Sequence, residues 1–395
     1  MGIASNLLMR KNLQKKSAHA TLNANDEKIL WAKSAGRCQY DGCNRILYED
    51  EKTHHIFNFA EKAHIVANSK DGPRGDNILS DKLKRDPKNF MLLCDFCHKR
   101  IDEFIAEHGI DRLIEMKQLH ENRIRISTSI SQSKKTNIVV FFAPIASAPI
   151  KISFEEVAPA VLENGYYPTS TDRYIDLSLK TQREDNDDEY WKQSNYELKK
   201  NFESKIKNYT SADDINHFSI FGLAPIPLLI KFGFLMGEAI PCEVYQPHRT
   251  EEKWTWKDDS NDLAFKISES TTNVSATEIA ISLSISGSIP SEDIKKVIGN
   301  NIDIWELSCR SPKYDNIQSK NHLEEFKAVA RELIPQILSK YKNIEKIKIF
   351  PTIPPSVAIE FGRILPQKYS PQIELYDRNN KRAGFFKTIT ISSNE

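Results

Sequence analysis

The pattern of apolar and polar positions changes near residue 130. Beyond it, short apolar runs alternate with segments whose apolar residues recur every three or four positions. The predicted strands are NIVVFFAPI, HFSIFGLAPIP, EIAISLSISG, NIDIWELSC, EKIKIFPTIPP and PQIELYD, and the predicted helices are FEEVAPAVLEN, YWKQSNYELKKNFESKI, SEDIKKVIG and HLEEFKAVARELIPQILSKY. Such alternation predicts α/β layers with largely parallel sheets.

Two segments of this region resemble each other. IFGLAPIPLLIKFGFLM (220–236) aligns with IFPTIPPSVAIEFGRIL (349–365) at a constant offset of 129 residues. The alignment pairs Phe221 with Phe350, Pro225 with Pro354, Phe232 with Phe361 and Gly233 with Gly362. We therefore predict that residues 138–395 form two related α/β halves, about 138–260 and 261–395, with chance similarity of two α/β units as the alternative.

The first copy of the repeat also resembles a membrane span. With the two residues before it, it forms the stretch 218–236, which has 13 uncharged residues before Lys231, but a spanning helix needs about 20 apolar residues. Two prolines interrupt it, and the second copy carries Glu360 and Arg363. The sequence therefore predicts buried core here.

The front of the chain has a different texture. A helix is predicted from about Asn25 to Ala35, capped by Asn25 or Asp26. SKDGPRGD (69–76) is a glycine–proline loop, and helices broken near Gly109 follow from Cys97 to about Arg125. The polar stretch STSISQSKKT predicts a linker. The predicted domains are 1–125 and 138–395, joined by residues 126–137.

Charge is unevenly distributed. The chain has a net charge of +1, but 24 Lys and Arg face 18 Asp and Glu through Lys135, and 31 face 36 beyond it. A mildly basic front half suits contact with phosphate backbones, although an ordinary solvated surface explains it too. The N-terminus lacks the apolar core of a signal peptide, so we expect a cytoplasmic protein.

Four of the six cysteines form two close pairs, Cys38 with Cys43 and Cys94 with Cys97. CDFCH alone also matches a c-type haem attachment motif, but haem leaves the first pair unexplained. Four thiolates in two pairs match a tetrahedral structural zinc site. Cys242 and Cys309 stand alone and are expected to be small buried side chains.

With both cysteines of CDFCH assigned to zinc, His98 and Asn89 are available for other chemistry, as is His64 in AEKAHIVA. The pieces GRCQYDGCN, AEKAHIVANSKDGPRGD and NFMLLCDFCHKRID resemble the zinc-stapled HNH endonucleases over roughly residues 30–105. The resemblance implies an α+β domain of the ββα-metal type. It also implies that His64 is the general base, that His98 is a catalytic metal ligand and that Asn89 orients the loop that holds His64.

One position departs from the HNH pattern. Many members of the family place a metal-ligating Asp or His directly before the base, where this chain has Ala63. Glu61 is the nearest carboxylate and our candidate second ligand for Mg²⁺ or a similar divalent ion. The pair His54–His55 is the rival for the base, and Arg74 in the glycine-rich loop is the candidate contact to DNA phosphate.

Ligands of α/β sheets bind beyond the carboxyl ends of strands, where helix N-termini favour anions. The repeat places GLAPIP and PTIPPS there, which predicts one composite pocket for a ligand with two or more phosphates. Aromatic and basic residues nearby can stack on bases, although ordinary core packing is the alternative for the tryptophans. The candidate ligand-binding residues are Pro225, Tyr245, Arg249, Trp254, Trp256, Arg310, Tyr314 and Pro354.

The whole arrangement resembles the HNH–SAVED nuclease effectors of bacterial anti-phage signalling (CBASS), whose SAVED domain fuses two CARF-like, Rossmann-like halves. The resemblance implies that a cyclic oligonucleotide binds the SAVED domain and drives assembly of a dimer to tetramer, whose HNH domains degrade double-stranded DNA. A cyclic GMP–AMP dinucleotide is the favoured activator and a cyclic trinucleotide is the alternative.

Two other functions stay open at this point. A restriction-type HNH enzyme that senses modified DNA should carry a more basic back half than this one. A zinc-stabilised binding module with an inactive nuclease centre is conceivable because of Ala63.

Overall fold

The computed structural model describes residues 21–145, 152–170, 173–181, 183–207, 217–248, 253–258, 261–270, 273–367 and 371–392. The N-terminal residues 1–20, on which the cytoplasmic expectation rests, lie outside these ranges. The chain divides into two compact units, Met1–Ile130 and Ser131–Glu395. Within the part of the chain that the structure describes, no helix is long and apolar enough to cross a membrane.

The first unit is built around a two-stranded hairpin followed by a helix. Its elements are α1 (Ala24–Ser34), β1 (Glu61–His64), α2 (Leu79–Leu83), β2 (Phe90–Leu93), α3 (Asp95–Glu103) and α4 (Ile110–Ser129). Strands β1 and β2 pair antiparallel, with His64 opposite Phe90. All four residues of β2 are buried, because the strand lies inside a small core that also contains Leu30, Ile101 and Leu113.

Two boundaries in this unit differ from the predictions. Helix α1 is capped by Asn23, whose side chain accepts hydrogen bonds from the backbone N–H groups of Asn25 and Asp26. Asn23 provides the same capping hydrogen bonds as the predicted cap, two residues before Asn25. Asp26 lies in the first turn instead, where its negative charge interacts favourably with the positive end of the helix dipole. The predicted linker is shorter than 126–137, since α4 continues to Ser129 and the next strand begins at Lys135.

The second unit contains two sheets. Its first half consists of β3 (Lys135–Phe142), α5 (Phe154–Glu163), β4 (Tyr167–Pro168), β5 (Ile175–Asp176), α6 (Asp188–Phe202), β6 (Phe218–Leu223), α7 (Ile226–Met236) and β7 (Cys242–Tyr245). The strand order is β4-β3-β6-β7, with β5 also paired to β3. All these pairs are parallel. Residues 218–236 thus form a strand and a helix of this half. This agrees with the prediction that they are buried core.

The second half repeats this arrangement with two additions. It consists of β8 (Lys266–Ser270), β9 (Glu278–Ser284), α8 (Ser291–Ile298), β10 (Asp303–Ser308), α9 (Lys320–Lys340), β11 (Lys346–Thr352), α10 (Pro355–Ile364), β12 (Gln372–Asn379) and β13 (Gly384–Ile391). The order is β13-β12-β11-β9-β10-β8. The inner strands are parallel, and β8 and β13 are antiparallel edge strands that the sequence pattern did not predict.

The internal repeat is visible in matched contacts. Phe221 stacks on Tyr245 with ring centroids 4.5 Å apart. At the equivalent position of the second half, Phe350 stacks on Tyr376 with centroids 4.3 Å apart. The strand triplet β3, β6 and β7 therefore corresponds to β9, β11 and β12. This agreement of sequence offset and side-chain geometry supports two related halves.

Helices α7 and α10 cross at the two glycines of the repeat. A Cβ on Gly233 would lie 2.0 Å from the carbonyl oxygen of Ile359, and a Cβ on Gly362 would lie 2.1 Å from that of Ile230. Ile230 and Ile359 are also repeat-equivalent, so the two halves meet across an approximate two-fold relation. Only glycine permits the backbones to approach so closely.

We expect Gly362→Ala to lower the free energy of unfolding of the second unit by about 3 kcal/mol or more, because the added methyl group has no space and both helices are held by their sheets. Urea unfolding followed by tryptophan fluorescence measures the change. Gly287→Ala is the matched control, since its Cβ would meet only the Thr352 methyl group at 3.3 Å. Equal stability of the two variants would contradict the close crossing.

Candidate functional site

The four paired cysteines of the first unit lie together. The sulfur atoms of Cys38, Cys43, Cys94 and Cys97 are all within 4.8 Å of one another. Cys43 and Cys94 are 3.9 Å apart, close to the roughly 3.8 Å edge of a tetrahedron with zinc–sulfur bonds of about 2.3 Å. Cys94 follows β2 directly and Cys97 lies in the first turn of α3, which brings these two cysteines close to each other.

The surroundings of these thiols fit a cation. Burial raises the pKa of Cys38 to about 12 and also raises that of Cys97. Burial opposes the Cys94 thiolate too, but hydrogen bonds from Cys97 and its neighbours outweigh it and lower that pKa. Buried thiols packed this closely become thiolates only with a compensating charge, which a zinc ion supplies.

A cleft of about 920 Å³ lies beside this cluster and contains both candidate histidines, His64 and His98. The ring of His64 packs on Phe90 with centroids 4.2 Å apart. Its Nε2 lies 3.2 Å from the carbonyl oxygen of Lys84. A carbonyl only accepts hydrogen bonds, so this contact places the proton on Nε2 and the basic lone pair on Nδ1.

Asn89 is buried beneath the cleft. Its Oδ1 accepts from the Val66 backbone N–H at 2.8 Å. Its Nδ2 donates to the carbonyls of Val66 at 2.9 Å and Leu83 at 3.2 Å. One side chain thus ties the segment after His64 to the segment before Lys84, whose carbonyl orients the His64 ring. This geometry fits the orienting role that the resemblance implies for Asn89.

His98 faces a carboxylate on each side. Its Nδ1 is 3.8 Å from Oε2 of Glu61, and its Nε2 is 3.5 Å from Oδ2 of Asp102. Glu61 therefore lies close to His98, whereas the buried methyl group of Ala63 supplies no donor. Asp102 was missed, although it follows His98 by four residues, a spacing that places both side chains on one helix face.

Arg74 does not point towards a substrate. Only 4% of its side chain is exposed, and Nη2 forms an ion pair with Asp102 at 2.7 Å. Its other nitrogens donate to the carbonyls of Ile65 and Ile101. In contrast to the prediction, Arg74 therefore holds the protein chain, because its donors are committed to protein acceptors inside the fold.

Other basic residues line the cleft as well as Arg74. Lys62, Lys84 and Arg85 contribute to its wall, and Arg85 is exposed. The basic residues of DKLKRD (81–86) are visible in the sequence but were not predicted as DNA contacts. The rival histidine His54 lies elsewhere, on a turn with 77% of its side chain exposed and Nδ1 paired with Glu49 at 2.8 Å.

The predicted pocket residues of the second unit divide into two groups. Pro225, Tyr245, Trp254 and Pro354 are buried. Tyr245 stacks on the Phe221 ring and Trp254 packs against it in a T-shaped arrangement, so both side chains belong to the core of this half. Arg310 and Tyr314 are 71% and 57% exposed, Trp256 is partly buried, and Arg249 lies outside the described residues.

The carboxyl edges of the two sheets adjoin. Gln246 follows β7, and its Oε1 accepts from the backbone N–H and the hydroxyl of Ser356, at 3.2 and 2.7 Å, in the first turn of α10. Pro225 and Pro354 cap α7 and α10 directly after the central strands. The strand ends of both halves thus share one edge, as the repeat predicted.

Comparisons with known proteins agree with this fold. Residues 198–391 match the family described as SAVED, the SMODS-associated and fused to various effectors sensor domain. No curated protein matches the chain.

Among solved structures, the Acinetobacter baumannii Cap4 SAVED/CARF-domain containing receptor with the cyclic trinucleotide 3'3'3'-cAAA is 15% identical with a TM-score of 0.45, over 80% of this chain and 66% of that one. The Moraxella osloensis Cap4 receptor is 13% identical with a TM-score of 0.38, over 80% and 70%. The chain thus spans slightly less than two thirds of the first receptor. Residues 198–391 are therefore similar to SAVED sensor domains, in line with the resemblance seen in the sequence.

Proposed function

We propose that this protein is a metal-dependent DNA endonuclease of the HNH type that a cyclic oligonucleotide, bound by the SAVED domain, activates in anti-phage defence. The observation that carries the nuclease half is the meeting of His64, Asn89 and His98 around one cleft, although 25 and 9 residues separate them in the chain. The ββα order of β1, β2 and α3, stapled by four cysteines, supports the same assignment.

His64 is the general base of this proposal. Its Nε2 keeps its proton and donates it in a hydrogen bond to the Lys84 carbonyl. The lone pair on Nδ1 is therefore the one that removes a proton from the attacking water. Histidine suits this role since its unperturbed pKa is near 6.5. Asn89 fixes both segments that set the ring position.

His98 and Glu61 are the residues that would hold a catalytic divalent ion, Mg²⁺ or a similar cation. Imidazole and carboxylate donors suit such an ion. When bound, the ion would neutralise negative charge on the pentacoordinate phosphate and on the leaving 3′ oxygen.

Lys62, Lys84 and Arg85 are the proposed contacts to the DNA backbone in place of Arg74. They line the wall of the same cleft as His64 and His98. Contacts to phosphate carry no sequence information, so we propose degradation of double-stranded DNA with little sequence preference. One centre cuts one strand, and a double-strand break is easiest in an oligomer, a dimer to tetramer, that places two centres side by side.

The activator is proposed to bind at the shared carboxyl edge of the two sheets. The contact between Gln246 and Ser356 shows that loops of both halves reach this edge, and the exposed Arg310 and Tyr314 offer a charge and a stacking surface. Cyclic GMP–AMP is the first candidate, and a cyclic trinucleotide is the alternative.

The test incubates the purified chain with plasmid DNA and Mg²⁺, alone and with a panel of cyclic di- and trinucleotides. We expect degradation only with one ligand, accompanied by a larger mass in light scattering. Cleavage without any ligand would keep the nuclease and favour the restriction-type alternative. No cleavage by zinc-loaded protein with any ligand would favour the inactive-centre alternative.

Arg310→Ala is expected to raise the ligand concentration for half-maximal activation by about tenfold, because a charged hydrogen bond to phosphate contributes roughly 1.5 kcal/mol or more. Titration of plasmid cleavage against ligand measures the shift. The control is Arg331→Ala, an arginine whose side chain is 50% exposed and whose partner is Glu238. An unchanged titration curve for Arg310→Ala would remove this residue from the proposed pocket.

A further inference from the structure

The carboxylate of Asp102 joins Arg74 to His98. Its Oδ1 accepts a hydrogen bond from Arg74 Nη2 at 2.7 Å, and its Oδ2 is 3.5 Å from His98 Nε2. The two contacts use different oxygens, so one side chain serves both partners at once. Neither the HNH motif pieces nor the proposed reaction assigns Asp102 a role.

Arg74 is a rigid anchor for this carboxylate. Its Nε donates to the Ile65 carbonyl at 2.8 Å and its Nη1 to the Ile101 carbonyl at 2.5 Å. Nη2 also lies 3.4 Å from the carbonyl oxygen of His64. The guanidinium therefore connects the strand end that carries His64 with the end of helix α3.

The turn that delivers Arg74 is itself constrained. Arg74 has a positive φ of 57°, and a Cβ on the following Gly75 would lie 2.3 Å from the carbonyl oxygen of Lys70. A side chain held in this unusual backbone conformation and used entirely inside the protein has a fixed position. Asp102 Oδ1 consequently has a fixed donor, and Oδ2 is presented towards His98.

A histidine that ligates a metal does so through one ring nitrogen and normally donates its other N–H to a carboxylate or carbonyl, which sets the tautomer and the ring orientation. The Nδ1 of His98 faces Glu61, and the Nε2 faces Asp102. We infer that Asp102 is a positioning residue, which accepts from Nε2–H of His98 and so presents Nδ1 to a divalent ion held with Glu61. This inference rests on the proposed function, because it concerns the same metal centre.

The inference separates Asp102 from a direct metal ligand. An Asp102 ligand would require His98 to bind through Nε2, the nitrogen on that side, whereas a positioning Asp102 requires binding through Nδ1. The Arg74 ion pair favours the second arrangement, since a carboxylate already neutralised by a buried guanidinium is a weaker donor to a cation. The choice of nitrogen is therefore the decisive observation.

The first measurement is the His98 tautomer in the full chain, by two-bond ¹H–¹⁵N NMR on protein labelled with ¹⁵N-histidine and assigned with His98→Gln. We expect protonated Nε2 in the zinc-loaded protein before Mg²⁺, a diamagnetic ion, is added and metal-bound Nδ1 afterwards. A spectrum with metal on Nε2 overturns the inference. This readout requires no DNA cleavage, so it separates failure of the inference from failure of the proposed nuclease.

The second measurement is Mn²⁺ affinity by calorimetry on zinc-loaded protein. Asp102→Ala should raise the Kd for Mn²⁺ by about 10–100-fold, and Asp102→Asn, which retains an oxygen acceptor for Nε2–H, should restore part of the loss. Glu103→Ala, an exposed neighbour on the same helix, should leave the Kd unchanged. Equal Kd values for wild type, Asp102→Ala and Asp102→Asn, at equal zinc content, would overturn the inference.

Discussion

His64→Ala should reduce the rate of ligand-activated plasmid cleavage by about 10²–10⁴-fold, the usual contribution of a general base. The substitution removes the nitrogen that accepts the water proton. His64 is only half-buried at the cleft, where it packs on the Phe90 ring, so the fold should survive the change. Initial rates of supercoiled plasmid loss measure the effect, and zinc content and ligand binding should stay at wild-type values.

His54→Ala is the matched control for this experiment. His54 is the rival histidine of the sequence and lies on an exposed turn with Glu49 as its partner. We expect full activity from this variant. A near-wild-type rate for His64→Ala, or loss of activity in His54→Ala with His64 intact, would contradict the assignment of His64 as the general base.

The parts of the fold that the sequence predicted are those in which local pattern and tertiary packing agree. Strands β6 and β11 and helices α7 and α10 are rich in apolar residues and largely buried, and both copies of the repeat have a glycine at the crossing. Strands β8 and β13 escaped prediction for the opposite reason. Four of the five β8 residues are exposed, and an antiparallel edge strand needs no continuous apolar run.

The site was predictable where chemistry is encoded by spacing along the chain. The two cysteine pairs and the histidines His64 and His98, all chosen from the sequence, lie together as one cluster of four sulfurs and at one cleft. The role of Arg74 was not predictable, because the sequence of a glycine-rich loop does not show whether its arginine faces solvent or, as here, three backbone carbonyls. The sequence also left open whether Trp254 packs in the core, because only tertiary packing places it against Phe142 and Phe221.

Loss of zinc should unfold the first unit, because its core is small and includes Cys38, Cys94 and Cys97, with Cys43 packed against it. Structural zinc contributes an apparent 10–16 kcal/mol in small domains, whereas a whole domain is stable by only about 5–15 kcal/mol. Cys97→Ser removes one thiolate and leaves three, which a tetrahedral site does not tolerate without a large loss of affinity. The second unit has its own core and should remain folded.

We therefore expect Cys97→Ser to contain less than one zinc per chain, to lose DNA cleavage, and to be cut by protease within residues 1–130 while residues 131–395 stay intact and bind ligand. Elemental analysis and limited proteolysis measure this. Cys309→Ser is the matched control, because this buried thiol contacts Asn316 in the second unit and a hydroxyl can replace it. Cys97→Ser protein with one full zinc and a protease-resistant first unit would show that the four sulfurs are not the ligand set, and that the hairpin carrying His64 is held by its apolar packing alone.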